Sequence, residues 1–242
     1  MPCHALEKEP RMLDFERFTH LTFDCYGTLI DWETGILRAV QPVLQRHGLV
    51  VLDTALLQLY AKLEAELEAG PYIPYREVLR GVMAGLAVEL GFTPHDGELD
   101  ALADSVGQWP PFHDSSEALR RLQRRYQLAI LSNIDDDLFA ASEKRLGVTF
   151  DAVITAQQVG SYKPNPRHFE AALARLAVPK EQILHVAQSL FHDHVPAQAQ
   201  GFTSVWVNRA SLLPGTGLSL PVDVMPDLEV PDMRTLVERM GL

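Results

Sequence analysis

The chain has 242 residues, 47% of them hydrophobic, and a formal net charge of −11. That length suffices for one large domain or a domain with an insert, and the acidic balance, with no Lys/Arg block, excludes the basic face of a nucleic-acid binder. Its two cysteines, Cys3 and Cys25, are too few for a disulfide framework or a CxxC metal site, so the expected compartment is the reducing cytoplasm.

The first 17 residues read as a loose, charged lead-in without the apolar stretch of a signal peptide. No segment approaches the roughly 20 apolar residues of a membrane span, so no membrane partner is expected. The first strand is predicted at 20–24, HLTFD. Four amphipathic helices follow, over 35–48, 53–69, 75–91 and 96–107, each with apolar residues three and four apart. Roughly seventy residues are too many for one crossover connection. The stretch 34–108 is therefore expected to be a helical cap domain, inserted into a core formed by 18–33 and 109–242.

Beyond Trp109-Pro110-Pro111, helices at 115–126, 135–147 and 167–178 alternate with apolar strands at 127–132, 151–155, 183–187 and 203–208. Gly147 is a fitting C-cap. Nearly continuous apolar strands separated by helices predict an α/β core with a doubly wound, Rossmann-like parallel sheet. Residues 211–231 read as loop, and a last helix over 231–240 has Pro231 in its first turn.

In open parallel sheets, ligands bind beyond the carboxyl ends of the strands. There this sequence carries Asp24, Tyr26 and Thr28 after the first strand, and Ser132 and Asn133 after the second. Lys163 follows the third, and Gln188, Ser189, His192 and Asp193 follow the fourth. A carboxylate, an amine, a hydroxyl and an amide brought together can hold a small anion and attack it. Cys25 adjoins Asp24 and is counted with the substrate-binding positions, although strand alternation turns its side chain to the other face. Trp32, Tyr72, Trp109 and Phe191 are candidates for the walls of a small apolar pocket. His185 reads as a core residue. His192 and His194 suggest a metal, but no further His/Cys set stands at ligand spacing, and no metal is expected.

The segments FDCYGTLIDW, LSN, SYKPNP and HVAQSLFHDHVPA resemble, in order, the four motifs of the haloacid dehalogenase superfamily. The first is most similar to the 2-haloacid dehalogenase branch with its D-x-Y-G-T pattern. The resemblance implies that Asp24 is a nucleophile forming an enzyme ester, and that Lys163 holds it ionised. It implies that Ser132 binds the substrate carboxylate, Asn133 the departing halide, and Asp193 the hydrolytic water, with Thr28 supporting the nucleophile loop. The substrate would be a small 2-substituted carboxylic acid.

In the superfamily's phosphatases a second aspartate, two residues after the nucleophile, protonates the leaving alkoxide. Here that position is Tyr26, with an ordinary pKa of about 10, and a halide needs no proton to leave. Gln188 stands where those phosphatases have an aspartate, and a neutral amide is a poor ligand for a hard dication. No cofactor is expected; Mg²⁺ belongs only to a phosphatase alternative. The dehalogenases also use a cap arginine for the halide. The matching stretch here, LQLYAKLEAEL, offers Lys62, and Arg76 is the nearest candidate arginine. Two further alternatives are a hydrolase opening the C–N bond of azetidine-2-carboxylate and a catalytically silent metabolite-binding relative. The family often forms dimers, but no interface stripe stands out.

Overall fold

The computed structural model describes residues 13–211 and 222–242. Six parallel strands form one sheet in the order β3-β2-β1-β4-β5-β6. They are β1 (His20–Phe23), β2 (Gln127–Ser132), β3 (Ala152–Thr155), β4 (Ile183–Ala187), β5 (Thr203–Val207) and β6 (Leu228–Val230). β1 lies at the centre, where the winding reverses between β2 and β4. A crevice opens at the carboxyl ends at such a point, and the residue following β1 is Asp24.

Every residue of β1 and β4 is buried. Side-chain alternation then assigns each strand residue to one of two faces. Leu128 and Ile130 of β2 and Leu184 and Val186 of β4 join the larger core. Their neighbours Leu131 and Ile183 pack instead with Phe169, Ala197 and Phe202. Both faces are covered, which is why the strands read as unbroken apolar runs.

Between β1 and β2 run α1 (Trp32–Arg46), α2 (Asp53–Glu68), α3 (Tyr75–Leu90) and the short α4 (Ala101–Ser105). The later helices are α5 (Ser115–Leu122), α6 (Asp136–Leu146), α7 (Ala156–Val159), α8 (Arg167–Leu176), α9 (Val195–Gln200) and α10 (Met233–Arg239). α1 begins three residues earlier than its apolar pattern, because Asp31 caps it by accepting the Thr34 N–H at 3.1 Å. α3 has no capping side chain of its own. Asp135, sixty residues on, accepts the N–H groups of Tyr75 and Arg76, both at 2.9 Å.

The helix expected over 96–107 is broken. Two 3₁₀ turns flank α4, and Gly97, with φ 80°, starts the first. The Ser105 hydroxyl donates to the Leu102 carbonyl at 2.7 Å and accepts from the Trp109 indole at 2.8 Å, a local alternative to further helix.

Three other expectations are corrected. The segment taken as loop contains β6, a strand of three residues, too short to show a period; part of that segment lies outside the described residues. Pro231 precedes α10, whose cap is Asp232. The lead-in is anchored from Leu13 onward, where Leu13 and Phe15 pack on the core. Cys3 lies outside the described residues.

Candidate active site

The chain leaves β1 through a turn that only glycine accommodates easily: Gly27 has φ 91°. A Cβ there would meet the Gln188 amide and the Trp32 indole, both at 3.1 Å. The turn brings Thr28 back under Asp24. Its hydroxyl donates to Asp24 Oδ2 at 2.8 Å and accepts the Gln188 backbone N–H at 2.9 Å.

Lys163 is 2% exposed. Its ammonium donates to Asp24 Oδ1 at 2.8 Å, Asp193 Oδ1 at 2.6 Å and the Leu131 carbonyl at 2.8 Å. Three donors meet three acceptors, as burial of an ammonium requires. Asn133 fixes this lysine through its backbone: Oδ1 accepts the Lys163 N–H at 2.7 Å, and Nδ2 donates to the Lys163 carbonyl at 3.2 Å. The other Nδ2 hydrogen bond runs to Glu68 at 3.3 Å. Behind Lys163, His185 bridges Asp193 Oδ1 at 3.1 Å and the Thr22 hydroxyl at 2.9 Å.

Burial raises the Asp24 pKa. The Lys163 charge offsets this only in part, and Asp193 adds to the rise. Burial would also raise Asp193, but Lys163 and His185 together hold it below the usual carboxylate range. Lys163 is raised, because its two carboxylates outweigh the cost of burying its charge. The two carboxylates therefore diverge. Asp193 is the fixed anion, while Asp24 faces the cavity and is the more basic of the pair.

The cavity over Asp24 has a volume of about 540 Å³. Ser132, Asn133, Tyr26, Gln188 and Ser189 all line it. Ser132 is 1% exposed, and its hydroxyl has no hydrogen-bond partner. Tyr26 presents its ring, packed edge-on against Trp109 at 5.6 Å, and its hydroxyl is bonded to Ser142 at 2.8 Å. Burial pushes that hydroxyl well above its ordinary pKa. Tyr26 is thus a wall, with its only proton held elsewhere.

Two expected site residues are misplaced. Cys25 is fully buried in the apolar core and does not line the cavity, as strand alternation requires. Arg76 is tied down on the outside. Its guanidinium meets Asp137 at 2.8 Å and Asp104 at 3.5 Å, because capping of α3 by Asp135 points the first turn that way. Of the four aromatic candidates, Trp32 and Trp109 line the cavity; Tyr72 and Phe191 do not.

His192, collected with the residues after the fourth strand but given no catalytic role, is also in the wall. Burial lowers its pKa to about 4, so it is a neutral imidazole at pH 7. From α2 come Glu64, Glu68 and Lys62, and from α3 Tyr75. Glu64 lies within the stretch LQLYAKLEAEL and Glu68 directly follows it; neither stood among the expected site residues. Among the described residues, one group of three His, Cys or carboxylate side chains lies close enough together to hold a metal: His47, His95 and Glu98, which do not line the cavity.

The site thus sets a buried carboxylate at a strand end beneath a helical wall. The family model of the haloacid dehalogenase-like hydrolases matches residues 18–189, and the chain belongs to that family. It is 27% identical over 222 residues to the (S)-2-haloacid dehalogenase of Pseudomonas sp. (strain YL), covering 90% of this chain and 92% of that one. It is 26% identical over 197 residues to an (S)-2-haloacid dehalogenase of Pseudomonas putida, covering 78% and 84%. A solved defluorinating L-2-haloacid dehalogenase superposes with a TM-score of 0.79 at 25% identity, over 93% of this chain and 96% of that one.

Proposed function

We propose that this hydrolase displaces a leaving group, halide in the simplest case, from a small 2-substituted carboxylic acid through an ester on Asp24. The observation that carries the reading is the hold on Asp24: Lys163 on one oxygen and Thr28 on the other, both at 2.8 Å. These contacts orient the carboxylate under the cavity and favour its ionised form. The (S)-2-haloacid dehalogenases among its relatives support the substrate class. In this reading 34–108 is the cap over a core of 18–33 and 109–242, and it shields the reaction from water.

In the first step an Asp24 oxygen attacks C2 of the substrate. A C–O bond forms, and the bond to the leaving group breaks with its electron pair departing on that group. Ser132, with its unpartnered hydroxyl, receives the substrate carboxylate. In the second step water attacks the Asp24 acyl carbon. The acyl–oxygen bond breaks, the 2-hydroxy acid takes a proton, and Asp24 is regenerated. Asp193 Oδ2, buried and without a hydrogen-bond partner, is the acceptor that positions that water. The net change is substrate plus water to hydroxy acid, halide and a proton.

No step needs an acid on the leaving group, in keeping with Tyr26, or a metal, in keeping with Gln188. The test is halide release from (S)-2-chloropropionate in EDTA, with a single turnover in oxygen-18 water. The expected result is metal-free release with the heavy oxygen recovered in the peptide carrying Asp24. Release that needs Mg²⁺, or heavy oxygen found only in the product after one turnover, would overturn the ester route.

A further inference from the structure

The cap-side wall of the cavity is acidic, and the chemistry at Asp24 makes no use of that. Glu64 and Glu68 stand one helical turn apart on α2, and both line the cavity. Glu64 Oε1 accepts the hydroxyls of Tyr60 at 2.9 Å and Tyr75 at 2.5 Å. Glu68 Oε2 accepts the Asn133 amide at 3.3 Å. Among the described residues neither glutamate has a salt-bridge partner.

The cations nearby are already committed. Lys163 is shared by Asp24 and Asp193. Lys62, whose side chain is 57% exposed, turns to Glu89 at 3.8 Å and Glu66 at 4.0 Å. Neither lysine forms a salt bridge with Glu64 or Glu68. Two other features point to a ligand of mixed charge. The Ser132 hydroxyl is buried and unpartnered in the same cavity, ready for an anionic group. Aromatic rings adjoin the glutamates: Tyr60 packs against Trp32 at 5.7 Å, and Trp32 and Tyr75 both face the cavity. Carboxylates framed by aromatic faces are the surroundings that hold an alkylammonium ion.

We propose that Glu64 and Glu68 form a cation subsite, so that the substrate is a zwitterion carrying an ammonium group as well as the carboxylate held by Ser132. The chemistry assigned to that substrate rests on the displacement reading above; the subsite itself rests on the α2 face. Burial raises the pKa of both glutamates, and Glu64 raises Glu68 further; a cation beside them favours their charged forms.

The test is calorimetric titration of the full chain with two unreactive probes of nearly equal shape. One is 4-(trimethylammonio)butanoate and the other its uncharged-tail isostere 5,5-dimethylhexanoate. The expected result is tighter binding of the cation by about tenfold or more. Glu68→Gln and Glu64→Gln each reduce that preference, and the double variant removes it. Equal or tighter binding of the isostere, a preference that survives in the double variant, or no binding of either probe would overturn the subsite. Halide release is read separately. If it fails with 2-chloropropionate and with an ammonium-bearing 2-chloro acid alike while the cation preference stands, the displacement reading falls; if the preference fails while halide is released, only the subsite falls.

Discussion

Two buried cations touch the loop after β1, and only one of them grips a residue that lines the cavity. Lys163 grips Asp24 and Asp193. Arg209, 4% exposed, grips both oxygens of Asp114 at 2.8 and 3.0 Å, donates to the Thr28 carbonyl at 2.7 Å and stacks on the Phe112 ring. Asp114 in turn accepts the Met233 N–H at the start of α10, at 2.7 Å. Charge type and depth are the same. The Arg209 cluster is closed on every side by protein, whereas one carboxylate of Lys163 faces the cavity. A buried ion pair is weak evidence for function, since many serve structure. Access to a cavity separates the two.

The comparison is broken most sharply by Asp24→Asn. Halide release should fall by roughly ten thousandfold or more, because removal of a covalent nucleophile leaves only binding and polarisation. Thermal stability should change little, since the amide keeps the Thr28 and Lys163 neighbours. Retained activity would move the site away from the first strand. Lys163→Met and Arg209→Met sharpen it. Each strands buried carboxylates and should cost about 3–5 kcal/mol in chemical denaturation. They should then part: at temperatures where both are folded, Arg209→Met keeps measurable turnover and Lys163→Met does not. Similar losses of turnover in both would show that loop position, not charge at Asp24, is what Lys163 supplies.

The pH profile is a further check. In the proposed route Asp24 reacts as the anion, and its pKa is raised, so kcat/KM should climb with pH through a midpoint above the ordinary carboxylate value of about 3.9. Gly35→Ala probes the cavity wall. An added Cβ would lie 2.3 Å from the Trp109 ring, so about 1–3 kcal/mol of stability should be lost as that ring is displaced. The smallest effect concerns Glu98, away from the cavity. The His47 hydrogen bond, helped by the His95 backbone and Arg46, lowers its pKa to about 2. The stability it contributes is therefore present above its ordinary pKa, about 4.3. It fades as pH falls from there towards 2, so Glu98→Gln should lower the melting temperature at pH 6 and not at pH 2.

The strands that carry the site were readable because their burial on both faces leaves unbroken apolar runs, and the residues at their ends could be collected without coordinates. Asp24, Ser132, Lys163 and Asp193 converge because parallel strands put all their carboxyl ends on one side. Side-chain direction within a turn was harder to read. Cys25 and Tyr26 are neighbours, yet one packs inward and the other walls the cavity. Arg76 was misjudged because its direction is set by Asp135, a partner sixty residues away that no local pattern reveals. Glu64 and Glu68 sit on an amphipathic helix, and nothing in α2 itself says what faces it. β6 is three residues long and is held by pairing with β5, which periodicity does not record.

The cap on α3 bears on timing. The helix that supplies Tyr75 to the cavity starts on the two oxygens of Asp135, a residue of the loop after β2. To swing outward, α3 must give up both bonds at once, so opening is a cooperative event rather than a gradual loosening. The amides of Tyr75 and Arg76 should then exchange with deuterium together and at one rate. If release of product limits turnover, Asp135→Ala would quicken that exchange and the catalytic cycle alike.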